Sequence, residues 1–222
     1  MKVLAIDTAT ERCSVALRVE GALTTREVVT PRGHADLILP MVEEVLREAG
    51  LSLRQLDGIA YGRGPGAFTG VRIAIGVVQG LAFGANLSTV GISNLAAVAQ
   101  QVAAAGAHIL VCMDARMQEV YWGTFEASSN DDDLIPIADE RVSPPERVEI
   151  GDWMPTVAAG TGFGSYPALR ERFANLSIHG DLLPHAREIA FLGERALREG
   201  KDVQTSEAQP VYLRDNVAVA KK

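Results

Sequence analysis

The chain alternates between short apolar runs and amphipathic stretches. Residues 2–7 (KVLAID) are almost continuously apolar, which predicts a strand covered on both faces. Residues 12–19 (RCSVALRV) alternate in part, and residues 22–29 (ALTTREVV) are rich in Thr and Val. Glu20-Gly21 between them reads as a hairpin turn. The chain therefore opens on a three-strand meander. In residues 34–50, Leu37, Ile38, Met41, Val42, Val45, Leu46 and Ala49 share one helical face. Glu43, Glu44, Arg47 and Glu48 share the other, and Gly50 is placed to cap the helix. A strand over 57–62, a helix over 67–84, a strand over 88–92 and an Ala-rich helix over 93–105 capped by Ser93 follow.

The pattern then restarts. Residues 107–114 (AHILVCMD) and 118–126 (QEVYWGTFE) form strand, acidic turn, strand, as VLAID-TATERCSVAL does at the start. Residues 128–133 read as a polar loop tip, 144–155 as irregular, 156–159 as a short strand before GTGFG, and 186–199 as a helix. One more apolar run, PVYLR, precedes a basic end. Meander plus alternating helix and strand predicts an α/β protein with mixed sheets flanked by helices, in two lobes with the second abbreviated. The expected division is 1–105 and 106–185, with 186–222 returning to the first lobe.

One block stands apart: YGRGPGAFTGVRIAIGVVQGLAFG, residues 61–84. A glycine-proline turn runs into an apolar helix. Gly76, Gly80 and Gly84 form one stripe on it, and Gly70, Ala74, Val78 and Ala82 form another. Glycine inside a helix costs about 1 kcal/mol relative to Ala, so the stripe demands a close approach by a ligand, the core or a partner. Val71, Ile75 and Val77 add apolar surface, and the helix at 34–50 carries a broad apolar face as well.

Composition narrows the classes. The 222 residues carry a net charge of −7, which argues against a surface that tracks phosphates. No stretch of eighteen apolar residues is free of charge and the N-terminus lacks a leader's apolar core, so a cytoplasmic protein without a membrane span is expected. Cys13 and Cys112 lie in strand-like runs and read as buried, reduced thiols. His34, His108, His179 and His185 are scattered, which predicts no metal site, and no G-x-S-x-G elbow occurs. Asp7, Thr8 and Thr10 end the first strand and Asp114 the matching strand. With Gly160 and Gly162 they read either as a vestigial nucleotide site or as polar turns and a loop. The Gly62–Gly66 turn reads either as an anion cradle or as a strand-to-helix turn.

MKVLAIDTATERCSVAL, AYGRGPGAFTGVRIAIGVVQGLAFG and PVYLR together resemble the TsaB family of bacterial tRNA threonylcarbamoyladenosine biosynthesis proteins over nearly the whole chain. The resemblance implies two ribonuclease-H-like lobes of the actin-like ATPase superfamily. It also implies a noncatalytic paralogue of TsaD. That catalytic relative carries a metal-binding His-x-x-x-His pair, whose positions here fall on Asn94 and Val98. His34 matches a third His of the relative. The implied partners are a TsaD-like catalytic subunit, a TsaE-like ATPase, a second copy when the chain is alone, and tRNA only through the complex. No cofactor is implied beyond weak nucleotide binding. The partner surface is expected on the helices at 34–50 and 67–84, through Leu37, Met41, Val45, Val71, Ala74, Ile75, Gly76, Val78, Gly80 and Ala82. The alternative is an ATPase or phosphotransferase acting through Asp7, Asp114 and the glycine turns. A metallopeptidase is the third class considered.

Overall fold

A computed structural model describes residues 1–129 and 133–214. In chain order the elements are β1 (Lys2–Asp7), β2 (Arg12–Val19), β3 (Ala22–Val29), α1 (His34–Glu48), β4 (Gly58–Gly62), α2 (Phe68–Ala85), β5 (Thr89–Ile92), α3 (Asn94–Gln100), β6 (His108–Asp114), β7 (Val120–Ala127), β8 (Leu134–Pro136), β9 (Arg141–Ser143), β10 (Val157–Ala159), α4 (Gly162–Ser165), α5 (Pro167–Arg172), β11 (Ser177–His179) and α6 (Ala186–Arg198). They fall into two compact units, Met1–Gln101 with Leu183–Pro210, and Val102–Leu182 with the described chain from Val211 to Arg214.

In the first unit the strand order is β3-β2-β1-β4-β5. β1, β2 and β3 pair antiparallel, while β4 and β5 add in parallel. The apolar run of β1 is explained by burial on both faces. Leu4 and Ile6 join Ile59, Val42, Val45, Ala74 and Val78 in the core beneath α1 and α2. Val3 and Ala5 join Ala60, Ala97, Ile189 and Ala190 beneath α3 and α6. α6 approaches the sheet closely, because a β-carbon on Gly193 would overlap that of Ala60.

The second unit repeats the scheme with shorter parts, in the order β11-β10-β6-β7-β8, with β9 also on β7. β6 and β7 are antiparallel, and β10 and β11 add in parallel. Leu110, Cys112, Trp122, Phe163 and Leu169 fill its core.

Several expectations need correction. The Ala-rich helix ends at Gln100, not 105. Its buried face closes at Ala99, and the chain must turn, through Gly106 at φ +73°, into β6. Helix propensity yields there to the turn that starts the next sheet. The tail crosses to the second unit at Val211, so it does not return to the first as a whole. α2 is long and apolar enough to cross a membrane by length and composition alone, although Arg72 interrupts its apolar run. Its apolarity has a local cause, since Val71, Ala74, Ile75, Val78 and Ala82 pack into the core. The basic end Lys221-Lys222 and part of the 128–133 loop lie outside the described residues.

Candidate functional site

β1 and β4 run parallel, so their C-terminal ends deliver Asp7 beside the glycine-proline turn. Asp7 is fully buried. Its Oδ1 accepts from Asn94 Nδ2 at 2.7 Å, and Asn94 Oδ1 accepts from the Gly64 amide at 2.8 Å. The Asn94 amide donates to the Gly64 carbonyl at 2.9 Å. Asn94 thus braces the turn to the first strand. Val98, one helical turn on, is buried core. Neither position holds an imidazole, and each has a packing task. The turn itself is tight: a β-carbon on Gly62 would fall on Asp7 Oδ1, and one on Gly66 would lie 2.5 Å from the Ala9 carbonyl oxygen. These glycines admit neighbouring chain, which explains them without a ligand.

Thr8 Oγ1 donates to the Gly70 carbonyl at 2.7 Å, and Thr10 Oγ1 accepts from the Arg12 amide at 3.3 Å. His34 Nε2 donates to the Thr10 carbonyl at 2.9 Å, which fastens the start of α1 to the β1–β2 turn. Complete burial pushes the Asp7 carboxyl up to about 7, against the downward pull of Asn94, the Ala9 amide and Arg12. Nearby, His185 Nδ1 accepts from the Arg187 amide at 2.8 Å, and its Nε2 meets Glu27 at 2.9 Å. Burial lowers its pKa, against the pull of Glu27.

A pH prediction follows from Asp7. The folded chain retains the proton where the unfolded chain has lost it, so stability declines as pH rises from about 4 to about 7 and then levels, by on the order of 4 kcal/mol. Asp7→Asn keeps the acceptor for Asn94 and removes the titration. Thermal unfolding at pH 5 and pH 8 should show the variant gaining on the wild type at the higher pH. A constant difference between the two would refute this. His185 acts with the opposite sign, its contribution being lost as pH falls below the ordinary histidine range.

In the second unit Asp114 is engaged on both oxygens. Oδ1 accepts from the Arg116 amide at 2.8 Å and from the Tyr166 hydroxyl at 2.9 Å, and Oδ2 pairs with Arg116 at 3.2 Å. Burial, then Asp114 itself, pushes Tyr166 up to about 12. A β-carbon on Gly160 would fall on the Cys112 carbonyl oxygen, and one on Gly162 would lie 2.9 Å from it. Thr161 Oγ1 accepts from the Asp114 amide at 3.0 Å. G-x-G-x-G is therefore seated on the end of β6. Cys13 and Cys112 are free, buried thiols, and burial raises both pKa values. Among the described residues no cluster of His, Cys, Asp and Glu has the make-up of a metal site.

The two stripes of α2 separate cleanly. Val71, Ala74, Ile75, Val78 and Ala82 are buried in the chain's own core, as is Val45 of α1. Their expected place on a partner surface is corrected: they face the sheet. Gly70 also faces inward, where a β-carbon would fall on the Thr8 carbonyl oxygen. Gly76, Gly80 and Gly84 face outward, and a β-carbon on any of them meets nothing within 4 Å. Phe68 and Phe83 are exposed near the two ends of this stripe, at 59% and 83%. Arg72 lies 3.3 Å from the Phe68 ring centre. On α1, Leu37 and Met41 are half-buried and Leu39 is 45% exposed. The sequence reading missed Phe68 and Phe83, although their spacing from Gly76 and Gly80 in threes and fours carried the signal.

The family model for TsaD, described as tRNA N6-adenosine threonylcarbamoyltransferase, matches residues 27–222. The tRNA threonylcarbamoyladenosine biosynthesis protein TsaB of Escherichia coli strain K12 is 41% identical over 98% of this chain and 96% of its own length. The chain belongs to the TsaB family.

The TsaB of Haemophilus influenzae is 38% identical over 98% of this chain and 95% of its own length. Two Pseudomonas aeruginosa structures agree in fold. One, described as similar to peptidase YeaZ, has TM-score 0.87 and 43% identity over 96% of this chain and 99% of its own. The other, named YeaZ, has TM-score 0.85 and 42% identity over the same shares. The TsaB family membership agrees with the α/β architecture of two mixed sheets flanked by helices.

Proposed function

We propose that this chain is a noncatalytic subunit in tRNA threonylcarbamoyladenosine biosynthesis. It dimerises with a TsaD-like catalytic subunit, which modifies the adenosine beside the anticodon of tRNAs reading codons that begin with A. A TsaE-like ATPase completes the assembly. The chain meets tRNA only through the complex, pairs with a second copy when alone, and works in the cytoplasm. The observation that carries this reading is the outward glycine stripe of α2. Among the described residues, nothing lies within 4 Å of a β-carbon placed on any of the three helical glycines, so we read the close approach they permit as lying outside the chain. Phe68 and Phe83 supply apolar anchors on the same helix. Asn94 and Val98, both spent on packing, support the noncatalytic part.

The test is co-purification with the catalytic relative, followed by mass measurement of the complex. A one-to-one complex is expected, and absence of any complex at micromolar concentration sinks the reading. The rival reading is an ATPase in its own right. Asp7 is buried beside Asn94, and Asp114 is engaged on both oxygens, which argues against both carboxylates as metal holders. Calorimetry with ATP and magnesium on the purified chain should show no tight binding. Turnover abolished by Asp7→Asn would reverse the ranking.

A further inference from the structure

Between β6 and β7, Arg116, Met117 and Gln118 are three consecutive residues in the left-handed region, at φ +60°, +54° and +61°. None is glycine, so each β-carbon crowds its own backbone there. A turn of this kind persists only where its surroundings hold it. Asp114 and Tyr166 hold one side: the tyrosine hydroxyl reaches Asp114 Oδ1 and, at 3.3 Å, the Glu119 carbonyl. The other side is held by the PVYLR segment. Arg214 Nη2 donates to the Ala115 carbonyl at 3.1 Å and pairs with the Glu119 carboxylate at 2.5 Å. Its Nη1 lies 3.7 Å from the Met117 sulfur, and its guanidinium stands 5.9 Å from the Tyr121 ring centre. The arginine grips both ends of the turn, and Met117 between them is 64% exposed.

We infer that Val211–Arg214 is a strap, with Arg214 holding the β6–β7 turn in its left-handed form, so that drawing the C-terminal chain away releases the turn. The strap begins at Val211, where the chain passes from the first unit to the second. A partner that engages the C-terminal chain would thereby change how Met117 is presented.

Hydrogen–deuterium exchange on the full chain tests this, read at the amides of residues 115–119. Arg214→Ala should speed exchange there at least about tenfold and leave the first unit unchanged. Arg214→Lys, which keeps the charge beside Glu119 but loses the planar fork, should fall between. The discriminating comparison is Gln118→Gly, because glycine occupies the left-handed region without crowding. In that background the acceleration caused by Arg214→Ala should shrink at least about threefold. Unchanged exchange in Arg214→Ala would overturn the strap. Equal acceleration with and without Gln118→Gly would reduce Arg214 to a surface contact and overturn it as well. If Arg214→Ala does not fold, the lysine variant carries the same comparison.

Discussion

Gly80→Glu is expected to leave the chain folded and to weaken its association with the catalytic subunit at least about 100-fold, close to 3 kcal/mol. A β-carbon at position 80 meets nothing within 4 Å among the described residues, so stability in isolation should barely move. It would instead stand in the gap into which the proposed partner would pack, where it would be buried without a counter-charge. Gly80→Ala sharpens the comparison. Alanine removes the helix penalty of glycine, so the isolated chain should gain roughly 0.5–1 kcal/mol. The same methyl group should still weaken the complex. Stability measured by denaturant at low protein concentration, with affinity measured by calorimetry, gives both numbers. A gain in stability with undiminished binding would mean that the stripe is idle surface and that the proposed partner sits elsewhere.

Gly160→Ala should instead damage the fold itself, by about 3 kcal/mol or more. The backbone there is left-handed, at φ +104°, and the added carbon would fall on the carbonyl oxygen of Cys112 in the central strand of the second unit. Main chain cannot step aside as a flexible side chain can. Against a typical total stability of 5–15 kcal/mol, a loss of this size is visible as a large shift in the urea midpoint. Gly151→Ala is the control. It also carries a positive φ, +58°, but a β-carbon there meets nothing, so it should cost distinctly less. Similar losses at the two glycines would show that backbone conformation, not close packing, explains Gly160.

Much of this architecture was legible in the sequence. The apolar run 2–7 announced a doubly covered strand, and β1 is buried on both faces. The repeat of strand, acidic turn, strand announced a second sheet built like the first. What escaped included the helices α4 and α5 and the strands β8, β9 and β11, each strand three residues long. So short a strand cannot display a period of two, and only its partner across the sheet defines it. The partner surface was legible in place but not in detail. α2 is apolar nearly all round, so hydrophobicity does not say which side meets the sheet. The pattern therefore groups Val71, Ala74 and Ile75 with Gly76 and Gly80, although the two groups face opposite ways. Exposed phenylalanines at 68 and 83 could not be told from core ones without the fold. Arg214 was visible only as part of a motif, because its partners lie about a hundred residues away.

The brace at Asn94 bears on reversibility. In the catalytic relative that position is implied to carry an imidazole. Here its amide ties the first strand to the glycine turn, offering a donor to Asp7 and an acceptor to Gly64. A neutral imidazole has one of each, but on a rigid ring, and so would not span the same two atoms. Placing histidines at 94 and 98 would therefore remove a fastening and overfill a buried valine site before any metal arrived. On the proposed noncatalytic reading, metal chemistry at these two positions is opposed by folding itself, as a keystone cannot be drawn out to open a doorway.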